Sequence, residues 1–123
     1  MKPPVATEHQ EQKAFFEWAA LMTPKHYELG LMFAIPNGGQ RHIITATKLK
    51  AEGVKAGVPD IFLPVARCNY HGLFIEMKKR KGARMALSQH GWYWNLLGQN
   101  YAVHICHGAD EAIDVTKQYM GWA

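Results

Sequence analysis

The sequence has few cysteines and no long apolar run, and these absences exclude two classes of protein. Cys68 and Cys106 are its two cysteines, and they form no paired motif, so we expect free thiols and not a disulfide framework. No stretch approaches the ~18 consecutive apolar residues of a membrane span. The first residues, MKPPVATEHQEQK, carry prolines and charges where a secretory signal needs an apolar segment. We therefore expect a cytoplasmic protein without membrane association.

Acidic residues are also scarce relative to basic ones. Ten Asp and Glu residues stand against 14 Lys and Arg, which gives a net charge of +4. This excess suits a polyanionic partner such as nucleic acid but does not establish one. The 123 residues contain no repeat, low-complexity tract or linker, and this length is close to the usual size of one domain. We therefore predict a single domain over residues 1–123, with residues 1–7 irregular.

Apolar periodicity and turn residues predict eight secondary-structure elements. Helices are expected at about residues 8–22, 43–53, 86–97 and 109–119, and strands at about 29–36, 59–66, 71–78 and 101–106. We interpret Trp92, Tyr93 and Trp94 of the third helix as core residues, and Asn100 as the left-handed residue that ends this helix. The order α-β-α-β-β-α-β-α predicts an α/β fold in which helices flank a central mixed four-stranded sheet.

Two charges interrupt the third predicted strand, LFIEMK. Because side chains alternate between the faces of a strand, Glu76 and Lys78 emerge on the same side, about 7 Å apart along the strand. Asp60 begins the preceding strand, and its carboxylate reaches the same place if the two strands are neighbours. Two close carboxylates repel each other, and Mg²⁺ relieves this conflict because it prefers oxygen ligands. The pattern predicts metal-assisted phosphodiester hydrolysis, in which Lys78 orients the attacking water or stabilises negative charge.

Each candidate site has a plainer alternative. The three charges Asp60, Glu76 and Lys78 could form a solvated strand end with an incidental ion pair. The turn NGGQR offers Asn37 and Arg41 as DNA contacts, although NG is first a turn signal. A basic segment follows the charged strand, and we interpret it either as a contact to a phosphate backbone or as a solvated loop. Its members are Lys79, Arg80, Lys81 and Arg84.

The spacing of Pro59, Asp60, Glu76 and Lys78 matches the PD-(D/E)XK nuclease motif. The sequence around the motif resembles the VRR-NUC group of that superfamily, in particular its small stand-alone members from phages and prophages. The resemblance rests on IPNGGQR, KLKAEGVKAGVPDIFLPV, GLFIEMKKRKG and YAVHICHGADEAI, together with Gln89 in the following helix, and it extends from about residue 7 to residue 120.

The resemblance implies a restriction-endonuclease-like core and DNA cleavage that depends on Mg²⁺ or Mn²⁺, without a small-molecule cofactor. It also implies an activity similar to that of Holliday-junction resolvases, exerted on branched DNA by a homodimer in the cytoplasm of a bacterial host. It adds Gln89 to the catalytic residues, and it implies a metal-binding glutamate on the first helix, four positions before a glutamine. Glu8 and Gln12 fit this spacing, and Glu11 remains a competitor for the same role. The alternative function is a nucleic-acid-binding module that keeps the nuclease fold without turnover.

Overall fold

The computed structural model describes residues 4–36, 43–82 and 84–122. The helices in these ranges are α1 (Glu8–Met22), α2 (Ile43–Ala51), α3 (Leu87–Gly98) and α4 (Ala109–Met120), and a 3-10 helix spans Tyr27–Leu31. The strands are β1 (Phe33–Ala34), β2 (Ile61–Leu63), β3 (Leu73–Lys78) and β4 (Ala102–His107). Helices and strands follow one another in the predicted order, which confirms the α/β fold.

The four strands form one mixed sheet in the order β1-β2-β3-β4. β2 pairs antiparallel with both β1 and β3, whereas β3 and β4 are parallel. A parallel pair needs a long crossover connection, and here α3 provides it. Asn100, two residues after the end of α3, has φ of 67°, which confirms the predicted left-handed residue. β3 therefore lies inside the sheet, between β2 and β4.

The first predicted strand, residues 29–36, is mostly wrong. Tyr27–Leu31 forms a 3-10 helix, and strand pairing is limited to Phe33 and Ala34. The tighter turn is closed by hydrogen bonds from the Leu29 amide to the His26 carbonyl (3.1 Å) and from the Met32 amide to the Leu29 carbonyl (3.3 Å). It buries Leu29 while Phe33 stays half exposed. The apolar run thus reaches the core through a helical turn and not through an extended strand.

The hydrophobic core lies between one face of the sheet and the helices α1 and α4. β3 contributes Leu73, Ile75 and Met77, which alternate onto the same face. The helices α1 and α4 cover this face. Fully buried core residues from these helices and from β2 and β4 include Phe15, Ile61, Leu63, Cys106 and Ala112. The other side of β3 carries Phe74, Glu76 and Lys78, so the charged residues lie on the face away from this core.

Helix α3 packs differently from the prediction. None of its twelve residues, all of which the structure describes, is buried, and Leu87 and Trp94 are 89% and 67% exposed. The interpretation of Trp92, Tyr93 and Trp94 as core residues is therefore wrong. α3 lies on the Lys78 side of the sheet, where it contacts β4, and no other described helix covers it there. The side of α3 that faces the sheet is therefore only half buried.

None of the helices in the described part of the chain combines the length and the apolar character that crossing a lipid bilayer requires.

Candidate active site

Asp60 and Glu76 lie opposite each other at one end of the sheet. The antiparallel register pairs Ile61 with Ile75, so the preceding residue of β2 faces the following residue of β3. The Met77 amide donates a 2.8 Å hydrogen bond to Asp60 Oδ2, and the Ile35 amide donates to the Asp60 carbonyl at 2.7 Å. The strands on both sides of Asp60 thus fix its backbone and its carboxylate.

Lys78 joins this pair of carboxylates. Its side chain is largely buried, and Nζ lies 3.7 Å from Glu76 Oε2 and donates a 3.0 Å hydrogen bond to Gln89 Oε1. Gln89 Oε1 also accepts a 2.7 Å hydrogen bond from the Ala86 amide. Gln89 therefore both completes the N-terminus of α3 and holds the ammonium group. The structure brings Asp60, Glu76, Lys78 and Gln89 together.

Burial decides against the plainer interpretation of these charges. Glu76 is 4% exposed and Lys78 is 7% exposed, whereas an incidental ion pair at a solvated strand end keeps both groups in water. A buried carboxylate without compensation is costly. The arrangement therefore needs a physical reason for keeping Glu76 inside.

The surroundings of Glu76 disfavour the charged form of its carboxyl group. Desolvation by burial, with a hydrogen bond and charge repulsion from Asp60, raises the pKa of Glu76 from 4.5 to about 9, although Lys78 opposes the shift. Glu76 Oε1 is buried and has no hydrogen-bond partner among the described residues. In the absence of a cation, the surroundings of Glu76 therefore favour its protonated form, and its distance of 3.7 Å from Lys78 is that of a loose contact and not of a strong ion pair.

The donor set fits a small hard cation. Two neighbouring carboxylates, one with an unpartnered buried oxygen, offer the oxygen ligands that Mg²⁺ and Mn²⁺ prefer. Within the described ranges, no group of three or more His, Cys, Asp or Glu side chains could hold a metal ion. Two carboxylates suffice, however, because protein-bound Mg²⁺ usually takes one or two of them and completes its shell with water and substrate phosphate.

The two glutamates of the first turn of α1 have different surroundings. Thr7 caps this helix, since its Oγ1 accepts from the Gln10 amide at 3.1 Å. Glu8 is exposed, and its charge is one of the smaller contributions that raise the pKa of Glu76. Glu11 is buried and is bound elsewhere, to Arg80 and to the start of α4. Of the two competitors, Glu8 is the one whose charge acts on Glu76.

All four residues of the basic segment are exposed, but Arg80 is also held by two carboxylates. Arg80 Nε donates to Glu11 Oε2 at 2.8 Å and Arg80 Nη2 to Asp110 Oδ2 at 3.2 Å, and these two carboxylates raise the pKa of Arg80. The other three residues, Lys79, Lys81 and Arg84, are exposed. Asn37 and Arg41, the predicted DNA contacts of the NGGQR turn, lie outside the described residues.

A close approach in the loop before Asp60 was missed by the sequence patterns. Gly57 has φ of +90°, and a Cβ at this position would lie 2.8 Å from the backbone of Ser88 at the start of α3. The loop that leads into Asp60 is therefore packed directly on the helix that carries Gln89. A single glycine among the eleven of the sequence carries no signal that singles out this contact.

Comparison with known proteins agrees with this geometry. The chain matches the VRR-NUC domain family over residues 6–110. A solved structure described as a VRR_NUC domain protein superposes with a TM-score of 0.78 at 28% sequence identity, and the match covers 96% of this chain and 91% of that one. No curated protein matches the chain. The matched range includes all the residues of the carboxylate and lysine cluster.

Proposed function

The chain belongs to the VRR-NUC domain family, a family of nuclease domains, and we propose that it is a metal-dependent endonuclease that hydrolyses phosphodiester bonds in DNA. A nuclease-type function and DNA as the substrate follow from the family. The metal dependence, the endonucleolytic mode and the individual roles of residues are the proposal. Its main support is Glu76, a buried carboxylate opposite Asp60 with one oxygen lacking a partner among the described residues.

Asp60 and Glu76 would hold Mg²⁺ or Mn²⁺, and Glu8 of α1, which was the predicted third ligand, would add negative charge that acts on Glu76. When bound, such an ion lowers the pKa of a water molecule and offsets negative charge on the phosphate. Glu76 would be deprotonated when it holds the ion, since a ligating carboxylate carries no proton. A bound cation would offset the repulsion from Asp60, which adds to the effect of desolvation in raising the pKa of Glu76. Glu76, the buried member of the pair, is thus better suited to the charged state when the ion is present.

Lys78 would act on the reacting groups directly. Its ammonium group is held 3.7 Å from Glu76 Oε2 by a hydrogen bond to Gln89, so it can donate a hydrogen bond to the attacking water or to a phosphate oxygen. Gln89 contributes by fixing this position, because its carbonyl oxygen accepts from Lys78 and from the Ala86 amide. Such preorganised donors stabilise charge without reorganising during the reaction.

We assign DNA binding to Lys79, Lys81 and Arg84 of the basic segment, and to Asn37 and Arg41 of the NGGQR turn. Contacts to phosphates release counterions, so the affinity should fall steeply with salt concentration. Arg80 is left out of this surface because Glu11 and Asp110 hold its guanidinium group. The net charge of +4 agrees in sign with a polyanionic substrate.

We further propose that the substrate is branched DNA such as a Holliday junction and that the active form is a homodimer. A four-way junction presents two symmetric scissile strands, which a twofold pair of sites can meet together. The resemblance to small stand-alone members of the family supports this substrate.

Cleavage assays on defined DNA structures test the proposal. Labelled duplex, flap and four-way-junction DNA would be incubated with the protein in Mg²⁺, in Mn²⁺ and in chelator. We expect cuts in either metal, strongest on the junction, and none in chelator. Binding to every substrate without metal-dependent cuts would instead support the nucleic-acid-binding module.

Two variants connect this activity to the cluster. Lys78→Ala should keep the fold and the affinity for DNA but lose cleavage by about 10²-fold or more, the usual effect of removing a charge-stabilising donor. Asp60→Asn should also lose cleavage and should bind Mn²⁺ more weakly. Lys25→Ala is the matched control, since it removes an exposed ammonium group to which this scheme gives no role. An unchanged rate for Lys78→Ala would remove Lys78 from the mechanism.

A further inference from the structure

Aromatic side chains continue the candidate active site along the same face of the sheet. They are Phe33, Phe62, Phe74 and Tyr101, and their rings contact one another. We infer that this aromatic platform stacks on one unpaired base of the DNA, next to the phosphate that is cut. The inference rests on the proposed function, since it takes the place of cleavage from the carboxylate pair. It adds the means by which the site tells unpaired DNA from duplex.

The strand register places the platform one step from the carboxylates. Phe33 pairs with Phe62, and Phe62 pairs with Phe74, so these three side chains stand side by side on one face. Phe62 lies two residues after Asp60, and Phe74 lies two residues before Glu76. Residues two apart on a strand share a face and are separated by about 7 Å. This separation is close to the span of one nucleotide in an extended single strand, so the base beside a phosphate at the carboxylates would reach the rings.

The two faces of these strands carry different kinds of apolar residue. The core face of β2 and β3 carries non-aromatic side chains that are all fully buried, namely Ile61, Leu63, Leu73, Ile75 and Met77. The platform is aromatic and only partly covered: Phe33 is 49% exposed, and the other three rings are half-buried. Bases of every type stack on aromatic rings, because each base has a flat π-face. The face that carries the carboxylates therefore has the residue type that base stacking requires.

The rings of the platform hold one another in place. Phe62 and Phe74 are stacked with their centroids 4.3 Å apart, and the Phe33 ring meets the Phe62 ring edge-on at 5.8 Å. Tyr101 lies 5.3 Å from Phe74. Gly72 leaves room for this cluster, since a Cβ there would lie 2.7 Å from Phe62 Cε1. Rings that are fixed beforehand lose little conformational entropy when a base binds, so more of the stacking energy is available for affinity.

The neighbours of the platform favour a nucleic-acid strand as its partner. Along one face, β3 presents the Phe74 ring, the Glu76 carboxylate and the Lys78 ammonium group in this order, and it then leads into the basic segment. Aromatic rings for bases and cations for phosphates together make up the sites that bind single strands. A base inside a duplex is already stacked and must be freed at a cost, whereas a base in a flap or at a branch point is accessible. The platform should therefore add affinity for unpaired DNA and none for duplex.

Fluorescence anisotropy in chelator, at one salt concentration, tests this without cleavage. The probes are a labelled duplex and the same duplex with a single-stranded flap. Phe33→Leu keeps an apolar side chain but removes the flat ring, whereas Phe33→Tyr keeps the ring. Tyr27→Leu is the matched control, because it removes a 75% exposed ring outside the platform. We expect Phe33→Leu to bind the flap about 5- to 100-fold more weakly than the wild type, and Phe33→Tyr and Tyr27→Leu to bind it like the wild type. The affinity for the duplex should be the same in every protein.

Several outcomes would overturn the inference. They are an unchanged flap affinity in Phe33→Leu, an equal loss in Phe33→Tyr, and a loss of the same size on the duplex. Light scattering reports the mass of each protein, and a smaller mass for Phe33→Leu would show instead that the rings meet a second copy of the chain. If melting curves show that Phe33→Leu does not fold, Tyr101→Leu is titrated under the same criteria. Cuts that do not need the ring would leave the proposed function intact, whereas a wild type that binds neither probe would refute the proposed DNA binding itself.

Discussion

Raising the pH should destabilise the metal-free protein, and Glu76 is the reason. The pKa of Glu76 is about 9 in the folded protein, against an ordinary value of 4.5. Between these two pH values the folded protein keeps a proton that the unfolded chain releases. The free energy of unfolding therefore gains most from this group below pH 4.5, and the gain is lost as the pH rises towards 9.

The expected magnitude follows from one proton per molecule. Each pH unit inside this window changes the free energy of unfolding by about 1.4 kcal/mol. Three units, from pH 5 to pH 8, then remove about 4 kcal/mol, a large part of the ~5–15 kcal/mol that stabilises an ordinary domain. For a domain of this size, about 4 °C of melting temperature corresponds to 1 kcal/mol. The melting temperature should therefore fall by about 15 °C from this group alone.

Thermal unfolding in chelator at several pH values, followed by circular dichroism, measures this loss. The seven histidines also titrate in this range, so the wild type must be compared with Glu76→Gln, which has the same shape without an ionisable group. We expect the wild type to lose stability relative to Glu76→Gln as the pH rises. Adding Mn²⁺ at pH 8 should raise the melting temperature of the wild type, since a ligand that binds the folded state stabilises it, and should raise that of Glu76→Gln much less.

Parallel pH dependences for the wild type and Glu76→Gln would refute the reasoning. Such a result would mean that the pKa of Glu76 is not raised in the metal-free fold. The burial of the carboxylate pair would then give no support to a cation at this place.

Three further predictions concern packing and DNA binding. In urea unfolding, Gly57→Ala should lower the free energy of unfolding by about 1–3 kcal/mol more than Gly53→Ala does. Both glycines have positive φ, but only a Cβ at position 57 would meet the backbone of α3. Equal losses would show that this loop does not pack on the helix. Phe15→Ala should cost about 3–5 kcal/mol, whereas Trp94→Ala, at an exposed position, should change stability by about 0.5 kcal/mol or less; a large loss for Trp94→Ala would place it in a packed interface. Arg84→Ala should reduce the slope of log affinity against log salt by about one in fluorescence anisotropy with labelled DNA, and an unchanged slope would remove this residue from the DNA contact.

Strict local rules made most of the fold predictable from the sequence. Strand side chains alternate with a period of two, so Glu76 and Lys78 had to emerge on one side of β3, and the structure places them there with Asp60 beside them. Turn and cap residues marked the element ends, as Asn100 does after α3. These signals depend only on neighbouring residues, so they can be recognised in a single sequence.

Features that depend on distant partners were not predictable. The sequence offered Glu11 as a rival metal ligand and Arg80 as a DNA contact, but the two are 69 positions apart and bind each other. The exposure of α3 has the same origin, because helical spacing of aromatic residues says nothing about whether another element covers them. The 3-10 helix in place of the start of β1 likewise follows from where Leu29 finds room in the core.

The shallow packing of α3 affects how long Lys78 stays hydrogen-bonded to Gln89. A helix with no buried residue, no Asp, Glu, Lys or Arg and a glycine at position 91 has little intrinsic stability, so its amides should exchange with solvent long before those of β3. Gln89 belongs to this helix and Lys78 to the protected strand. When the first turn of α3 frays, Gln89 should release the ammonium group of Lys78. The stability of α3 should therefore decide how long Lys78 keeps its position.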